Sequence, residues 1–195
     1  MSGWDRLVLA SGSPRRRQLL ALLGISPRVV VPGVDELRPE GEPPADYVVR
    51  VARAKAGAVA GREPGAVVLA ADTAVVLGDA VFGKPGDPAE AVAMLLRLQG
   101  RTHQVMTAVA VAQDERIEHA LDVSDVTFRS HDRAALAAYV ATGEPLDKAG
   151  AYAIQGLGAP LVEGIRGDFF GVMGLPLRLV IDLLARFGLP YRFTR

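Results

Sequence analysis

Residues 7–20 read Leu7-Val-Leu-Ala-Ser-Gly-Ser-Pro-Arg-Arg-Arg17-Gln-Leu-Leu, an apolar run that breaks at a turn of small residues and leads into three arginines. We predict a strand, a turn and then a helix, with Ser13 as the N-cap and Pro14 as the first helical residue. The arginines then fall in the first helical turn, where the helix dipole is already positive and each cation costs about 0.3–1 kcal/mol. A strand, a glycine turn and arginines in this order are typical of a cradle for phosphate.

The helical periodicity separates the three arginines. If the leucines of residues 19–23 form the buried stripe, Arg17 points to the opposite face and is expected in solvent, whereas Arg15 and Arg16 flank the stripe. A surface arginine pair with acidic partners is the alternative interpretation of Arg15 and Arg16. The stretch lacks the Gly-Lys-Ser/Thr sequence of a P-loop, which excludes that motif.

The composition is that of an ordinary globular chain. It has 195 residues, of which 50% are hydrophobic, and this is enough to bury a sizeable core. The absence of cysteine excludes disulfides, thiolate zinc sites and cysteine nucleophiles, so any metal must have oxygen or histidine ligands. No apolar run approaches the length of a membrane span, and no signal-peptide pattern is present. We therefore expect a soluble cytoplasmic protein without a membrane partner.

The charges balance, with 22 basic and 22 acidic residues. Nothing in the overall charge therefore favours a nucleic acid polymer as a partner, and any anion site must be local. Lysine occurs only at Lys55, Lys84 and Lys148, which suggests positions that need a compact, flexible ammonium. The alternatives are a solvated lysine at Lys55 and a salt bridge from Lys148 to Asp147 or Glu144.

Predicted strands and helices alternate along the chain, which favours an α/β fold with a mixed β-sheet flanked by helices. The predicted strands cover residues 28–31, 67–71, 75–77, 81–82, 102–112, 117–128 and 161–165. One predicted helix begins at Pro14, and the others cover residues 45–60, 87–98, 132–141 and 175–187. Asp87, Pro88 and Glu90 supply an N-cap, a first-turn proline and the acid of a capping box. The glycine-punctuated segment 142–158 is predicted to be an irregular loop of the kind that commonly carries function.

Several charged side chains have the composition of a metal-assisted triphosphate site. Asp72 ends the most hydrophobic predicted strand, where open α/β sheets place ligands, although an Asp-Thr pair also makes an ordinary turn. Glu36, in a proline-rich loop, is a candidate second oxygen ligand, but the sequence spacing alone does not place it near Asp72. Lys84 lies in a tight turn from which it can reach the same anion. Further cations for the phosphates are available from Arg15, Arg16 and Lys55.

The histidines, Ser11, Ser13 and Gln155 are weaker indicators of function than the charged residues. The three histidines share no metal-ligand spacing and are expected to be ordinary strand or loop residues. Ser11 and Ser13 do not lie in a nucleophile elbow, so we do not expect covalent catalysis. Gln155 lies in the glycine-rich loop, where its amide can read the edge of a base. The alternative for Gln155 is a structural amide that satisfies the loop backbone.

Six segments form an ordered set of motifs that spans nearly the whole chain. They are Leu9-Ala-Ser-Gly-Ser-Pro-Arg-Arg16, Ala71-Asp-Thr73, Gly83-Lys-Pro85, Thr102-His-Gln-Val-Met-Thr107, Gly143-Glu-Pro-Leu-Asp-Lys-Ala-Gly-Ala-Tyr-Ala-Ile-Gln-Gly156 and Gly167-Asp-Phe-Phe-Gly-Val-Met-Gly-Leu-Pro176. Together they resemble the Maf family. The resemblance implies a single domain over residues 1–195 with a two-lobed, inosine-triphosphatase-like fold and a central cleft. It also implies a nucleoside triphosphate pyrophosphatase that uses a divalent cation, Mg²⁺ or Mn²⁺.

The resemblance also implies roles for individual residues. Asp72 matches the catalytic carboxylate of the family, and Asp72 and Glu36 match its metal ligands, although which of them is the base stays open. The substrate-binding residues implied are Ser13, Arg15, Arg16, Lys55, Thr73, Lys84 and Gln155. Gly171 replaces an asparagine that is common in the family, so the role of that position also stays open.

Three of these positions bear on the choice of substrate. Arg15, Thr73 and Gln155 match the branch of the family that hydrolyses dTTP and UTP, whereas the 7-methyl-GTP branch tends to have Trp, Gln and Glu there. We therefore expect a housecleaning enzyme for dTTP and UTP, and for modified pyrimidine nucleotides, with a link to cell division arrest. The alternatives are a nucleotide-binding regulator of septum formation and a 7-methyl-GTP pyrophosphatase. The oligomeric state, including a homodimer, stays open.

Overall fold

The computed structural model describes residues 3–193 and shows the predicted alternation of strands and helices. The strands are β1 (Leu7–Leu9), β2 (Arg28–Val29), β3 (Val67–Leu77), β4 (Ala80–Phe82), β5 (Thr102–Gln113), β6 (Arg116–Phe128) and β7 (Val162–Arg166). The α-helices are α1 (Pro14–Leu22), α2 (Pro44–Ala60), α3 (Pro88–Leu98), α4 (Arg133–Ala141), α5 (Phe169–Val172) and α6 (Leu177–Arg186). Short 3-10 helices cover Gly3–Arg6, Glu144–Asp147, Ala149–Ala151 and Gly156–Leu161. Within residues 3–193, no helix has the length and apolarity that a membrane span requires.

Seven strands form one mixed sheet in the order β2-β1-β3-β5-β6-β7, with β4 paired to β3. β1 runs parallel to both β2 and β3, whereas β4 is antiparallel to β3 and β7 is antiparallel to β6. Every residue of β1 and the first six residues of β3 are buried, as expected for strands that are covered on both faces. The predicted mixed sheet with flanking helices is confirmed.

The chain divides into two compact units. The first unit contains Thr107–Asp122 together with the chain before Thr73 and after Met173, and the second contains Thr73–Met106 and Val123–Met173. In the first unit, α1, α2 and α6 bury the side chains of their apolar faces. In the second unit, the core includes residues of α3 and α4 and the aromatic rings Phe82, Phe128 and Tyr152. The backbone passes from one unit to the other within β3, β5 and β6, and once more between α5 and α6.

Three predicted strands differ from the structure. The prediction of separate strands at 67–71 and 75–77 is wrong, because β3 continues through Asp72 and Thr73 as far as Leu77. No glycine or proline interrupts this run before Gly78, and its many β-branched residues favour an extended backbone. β2 ends at Val29 and not at residue 31, because its partner β1 already ends at Leu9, which pairs with Val29.

The start of α3 follows the local sequence signals. Asp87 is the N-cap, and its side chain accepts a hydrogen bond from the Glu90 amide at 2.8 Å. The Glu90 carboxylate reaches back and accepts from the Gly86 amide at 2.6 Å. These two bonds satisfy amide protons that the helix itself cannot pair, so the predicted helix start is confirmed.

Candidate active site

The turn after β1 lies at the carboxyl end of a buried strand in the first unit. Pairing between β1 and β3 ends at Leu9, which lies opposite Leu69. Ser13 is the N-cap of α1, as predicted, but its hydroxyl caps no helix amide, and the first turn of α1 contains no acidic residue. Instead, the Ser13 amide donates to Oγ of the buried Ser11 at 3.1 Å. The positive end of α1 therefore has no acid of its own and suits an anion.

Arg16 is held in place by two neutral acceptors. Its Nε donates to the Gly174 carbonyl at 3.0 Å, and its Nη1 donates to Ser11 Oγ at 3.2 Å. Arg15 is also half-buried, whereas Arg17 is exposed, as the helical periodicity predicts. Ser11 thus orients both the turn and Arg16. We did not predict this role, and the only signal for it is the position of Ser11 two residues after the end of the buried strand β1.

Lys55 is buried, so the alternative of a solvated lysine is wrong. It shares the buried face of α2, which is formed by Val48, Val51, Ala52, Lys55, Ala56, Val59 and Ala60. Only 5% of Lys55 is exposed, and a buried ammonium needs partners to offset the loss of water. Its Nζ lies 2.8 Å from Asp72 Oδ1 and 2.9 Å from Glu36 Oε2. Lys55 therefore joins two carboxylates that are far apart in the sequence.

The loop that carries Glu36 is anchored on α2. The Tyr47 hydroxyl donates to the Glu36 carbonyl at 3.0 Å, and Arg50 donates to the Leu37 carbonyl at 3.0 Å. Arg50 also forms an ion pair with Glu42 at the end of the same loop. These contacts explain how Glu36 reaches Lys55, which its spacing in the sequence could not predict. The Glu36 side chain is still 54% exposed and thus accessible to a ligand.

Asp72 is the buried acid of this cluster, with 5% of its surface exposed. Asp72 lies inside β3, three residues beyond Leu69, which is the last residue of β3 that pairs with β1. The strand that ends beside Asp72 is therefore β1, whereas β3 continues. Asp72 Oδ1 accepts from Lys55, whereas Oδ2 is buried and has no hydrogen-bond partner among residues 3–193. Burial raises the pKa of Asp72, although the positive charges of Lys55 and Arg16 act in the opposite direction. An unpaired buried acceptor with a raised pKa is typical of a functional site.

The raised pKa of Asp72 should make the stability of the protein depend on pH. A carboxyl with a higher pKa in the folded chain binds its proton more tightly there, so its contribution to the unfolding free energy falls as pH rises. The fall begins near the ordinary pKa of 3.8 and ends above the raised one. The variant Asp72→Asn has no carboxyl at this position and should not show this fall in the unfolding free energy. The unfolding free energy of the wild type minus that of the variant should therefore decrease as the pH rises through this range. Urea unfolding at successive pH values measures the difference, and an increase with pH would contradict the raised pKa.

Glu36 and Asp72 offer the donor atoms that a hard divalent cation prefers. No group of three or more His, Cys, Asp or Glu side chains in the described part of the chain is arranged to hold a metal ion. Mg²⁺ is usually bound through one or two protein carboxylates, with water and substrate phosphates as its other ligands. The unpaired Asp72 Oδ2 and the exposed carboxylate of Glu36 fit such a donor set.

Thr73, Lys84 and Gln155 belong to the second unit. Thr73 directly follows Asp72 on β3 and is half-buried, and Lys84 is exposed after β4. Gln155 precedes the 3-10 helix Gly156–Leu161 and has an extended backbone. Its amide oxygen is buried and accepts no hydrogen bond within residues 3–193. This oxygen therefore does not satisfy the loop backbone, which was the alternative for Gln155.

Comparison with known proteins identifies the family. The family model described as Maf-like protein matches residues 6–187. The chain belongs to the Maf family. A Maf relative from Myxococcus xanthus named dTTP/UTP pyrophosphatase is 55% identical over 185 residues, which cover 94% of this chain and 93% of the relative. A relative of the same name from Symbiobacterium thermophilum is 49% identical over 186 residues, covering 95% of this chain and 96% of the relative.

A solved structure supports the fold assignment of this Maf protein. The Staphylococcus aureus Ham1 protein matches it with a TM-score of 0.51, covering 93% of this chain and 96% of that chain. The two sequences are 14% identical, so the likeness concerns the fold alone. Together with the mixed sheet, it confirms the predicted fold class.

Proposed function

We propose that this Maf protein is a nucleoside triphosphate pyrophosphatase that hydrolyses dTTP and UTP to the monophosphate and pyrophosphate. Both relatives described above are named dTTP/UTP pyrophosphatase and match nearly their full length. They support the enzyme predicted from the motifs, whereas no observation favours a septum regulator or a 7-methyl-GTP pyrophosphatase. Action on modified pyrimidine nucleotides, a cytoplasmic location, a homodimer and a single domain over residues 1–195 stay predictions.

The observation that carries the proposal is the cluster of Asp72, Lys55 and Glu36. It combines a buried carboxylate that has an unpaired oxygen, a buried ammonium and a second, accessible carboxylate. Arg16 adds positive charge beside it, and the first turn of α1, which carries Arg16, contains no acidic residue. Hydrolysis of a triphosphate needs a proton acceptor for water and positive charge for the phosphates. The cluster offers both.

In the proposed reaction, the residues of the first unit position the triphosphate and activate water. Ser13, Arg15 and Arg16 hold phosphate oxygens at the start of α1, and Lys55 keeps Asp72 and Glu36 in place. The Asp72 carboxylate takes the proton of a water molecule whose oxygen bonds to the α-phosphorus. The bond from the α-phosphorus to the bridging oxygen breaks, and pyrophosphate leaves. Burial assists Asp72, because a raised pKa makes its carboxylate a better proton acceptor.

Glu36 and Asp72 are the residues that would hold a divalent cation, Mg²⁺ or Mn²⁺. When bound, such a cation neutralises phosphate charge and lowers the pKa of bound water. Lys55 provides a fixed positive charge between the same two carboxylates, which keeps them close together despite their repulsion.

Thr73, Lys84 and Gln155 of the second unit complete the proposed set. Their support is the match to the family motifs, with Lys84 assigned to phosphate and Thr73 and Gln155, together with Arg15, to the choice of base. The unpaired amide oxygen of Gln155 adds a chemical reason. Uracil and thymine present an N3–H donor, and an amide oxygen is a suitable acceptor for it.

The proposal is tested by incubating the purified protein with dTTP, UTP, CTP, GTP or 7-methyl-GTP and Mg²⁺. We expect pyrophosphate and monophosphate in equal amounts, fastest from dTTP and UTP. Excess EDTA should reduce release to the rate without enzyme, and added Mg²⁺ should restore it, because phosphate charge is then neutralised again. Fastest release from 7-methyl-GTP would favour the other family branch. Binding of dTTP or UTP without release would favour a regulator.

A further inference from the structure

The segment that carries Gln155 is anchored by the carboxylate of Glu144. Glu144 Oε1 accepts from the Leu157 amide at 3.0 Å, and Oε2 accepts from the Gly158 amide at 2.9 Å. Oε2 also accepts from the Tyr139 hydroxyl at 2.9 Å. A half-buried side chain therefore fixes the backbone that follows Gln155.

Tyr139 extends this network to the backbone that precedes Gln155. Tyr139 is buried on α4, and its hydroxyl oxygen accepts from the Ala153 amide at 3.1 Å while it donates to Glu144. Ala153 and Leu157 lie two residues before and two residues after Gln155. The network of Glu144 and Tyr139 thus holds the backbone on both sides of Gln155.

Two glycines leave the space that the network occupies. Gly156 has a φ of +78°, and a Cβ atom there would lie 2.3 Å from Glu144 Oε1. A Cβ atom on Gly158 would lie 2.6 Å from the Tyr139 hydroxyl oxygen and 2.4 Å from the Ala153 carbonyl oxygen. A side chain at either position would displace the carboxylate or the phenol. Gly156 and Gly158 are therefore needed for the hydrogen bonds of Glu144 and Tyr139, and Gly156 also for its left-handed backbone conformation.

The surroundings of Glu144 favour its ionised form. Partial burial raises its pKa, but the hydrogen bonds from Leu157 and Tyr139 and the charge of Lys148 bring the pKa below its ordinary value. Lys148 donates to the Glu144 carbonyl and to Asp147 Oδ1, which confirms the predicted salt bridge with Asp147. An ionised carboxylate has the free lone pairs that this arrangement needs.

The side chain of Gln155 depends on its backbone for its position. Its amide oxygen has no hydrogen-bond partner in the described range, so no contact of that atom fixes the amide. A glutamine amide that turns over exchanges donor and acceptor, and can then pair with cytosine as well as with uracil. With no hydrogen bond to its oxygen, the place of the amide against a base is set by the backbone that carries it.

We propose that Glu144, together with Tyr139, positions Gln155 and thereby sets the preference of the enzyme for uracil and thymine over cytosine. The inference rests on the proposed function, because it requires turnover of UTP. Glu144 is a positioning residue, since it acts through the backbone of residues 153–158. Its loss should change the choice of base more than it changes the chemistry at phosphorus.

Glu144→Gln tests the inference, because it keeps the size of the side chain and replaces one acceptor oxygen by an NH₂ donor. We expect the ratio of kcat/KM for UTP to kcat/KM for CTP to fall by about tenfold, since an anchoring hydrogen bond to a charged group is lost. Tyr139→Phe should lower the ratio less. Glu163→Gln is the matched control, since Glu163 is an exposed acid of the same unit, and it should leave the ratio unchanged.

Gln155→Ala separates positioning from a general loss of structure. In a Gln155→Ala background, Glu144→Gln should change the UTP-to-CTP ratio no further, because the group that it positions is gone. An equal loss with both nucleotides, or the same fall in the ratio without Gln155, would overturn the inference. If Glu144→Gln does not fold, Tyr139→Phe replaces it in the same comparison. A wild type without turnover overturns the proposed function itself, whereas an active wild type and an unchanged ratio in the variants overturn only the inference.

Discussion

Asp72→Asn is expected to abolish most pyrophosphate release from dTTP and UTP while the protein stays folded. Asparagine has nearly the same shape as aspartate and can still accept a hydrogen bond from Lys55, but it cannot take a proton from water. We expect kcat to fall by about 10²–10⁴-fold, the usual contribution of a general base. Steady-state release of pyrophosphate at saturating UTP measures this change.

Asp182→Asn is the matched control for this substitution. Asp182 is an exposed acid on α6 in the same unit, so the same chemical change should leave kcat unaltered. Circular dichroism of both variants should match that of the wild type. A folded Asp72→Asn variant with the wild-type kcat would remove Asp72 from the proposed role. A loss of activity that only follows a loss of structure would assign Asp72 to the core.

Lys55→Met is expected to cause the largest loss of stability. The substitution keeps the length of the side chain but removes the ammonium that lies 2.8 Å from Asp72 Oδ1. Breaking a buried ion pair from one side costs about 3–5 kcal/mol, because an uncompensated charge is left behind. Activity should also be lost, since Glu36 and Asp72 are no longer joined. Urea unfolding gives the change in the free energy of unfolding.

Two further variants show whether the loss of the Lys55 charge is responsible for the loss of stability. Arg53→Met makes the same kind of change at an exposed position of α2, and should alter the unfolding free energy by less than about 0.5 kcal/mol. The double variant Lys55→Met with Asp72→Asn should regain part of the lost stability, because it leaves no unpaired buried charge. Glu36 also loses its ion pair with Lys55, but its side chain is exposed and solvated. Purely additive losses would show that the packing of the lysine stem, and not the ion pair, stabilises the fold.

The elements that could be predicted from the sequence are those whose signals are local. Asp87 and Glu90 define the start of α3 through hydrogen bonds to amides within four residues. The local sequence is therefore sufficient to predict where this helix begins. β3 shows the limit of such signals, because Asp72-Thr73 has the composition of a turn but lies in an extended strand. Pairing with neighbouring strands outweighs the local preference of these two residues.

The candidate site could be predicted in its composition but not in its contacts. The phase of Lys55 with Val48, Val51 and Val59 on α2 indicates a buried face, yet nothing in the helix itself indicates the partners of Lys55. They are supplied by β3 and by a loop that Tyr47 and Arg50 anchor. Such contacts arise only when segments distant in sequence pack together.

The division of the chain between Asp72 and Thr73 has a consequence for how this family can diversify. The residues proposed for hydrolysis, Asp72, Lys55 and Glu36, pack within one unit, and two of the three residues proposed for base choice, Thr73 and Gln155, lie in the other. The residues around Gln155 lie in the unit that does not contain Asp72, Lys55 and Glu36. New base preferences can therefore evolve while the ion pairs of Lys55 are inherited unchanged.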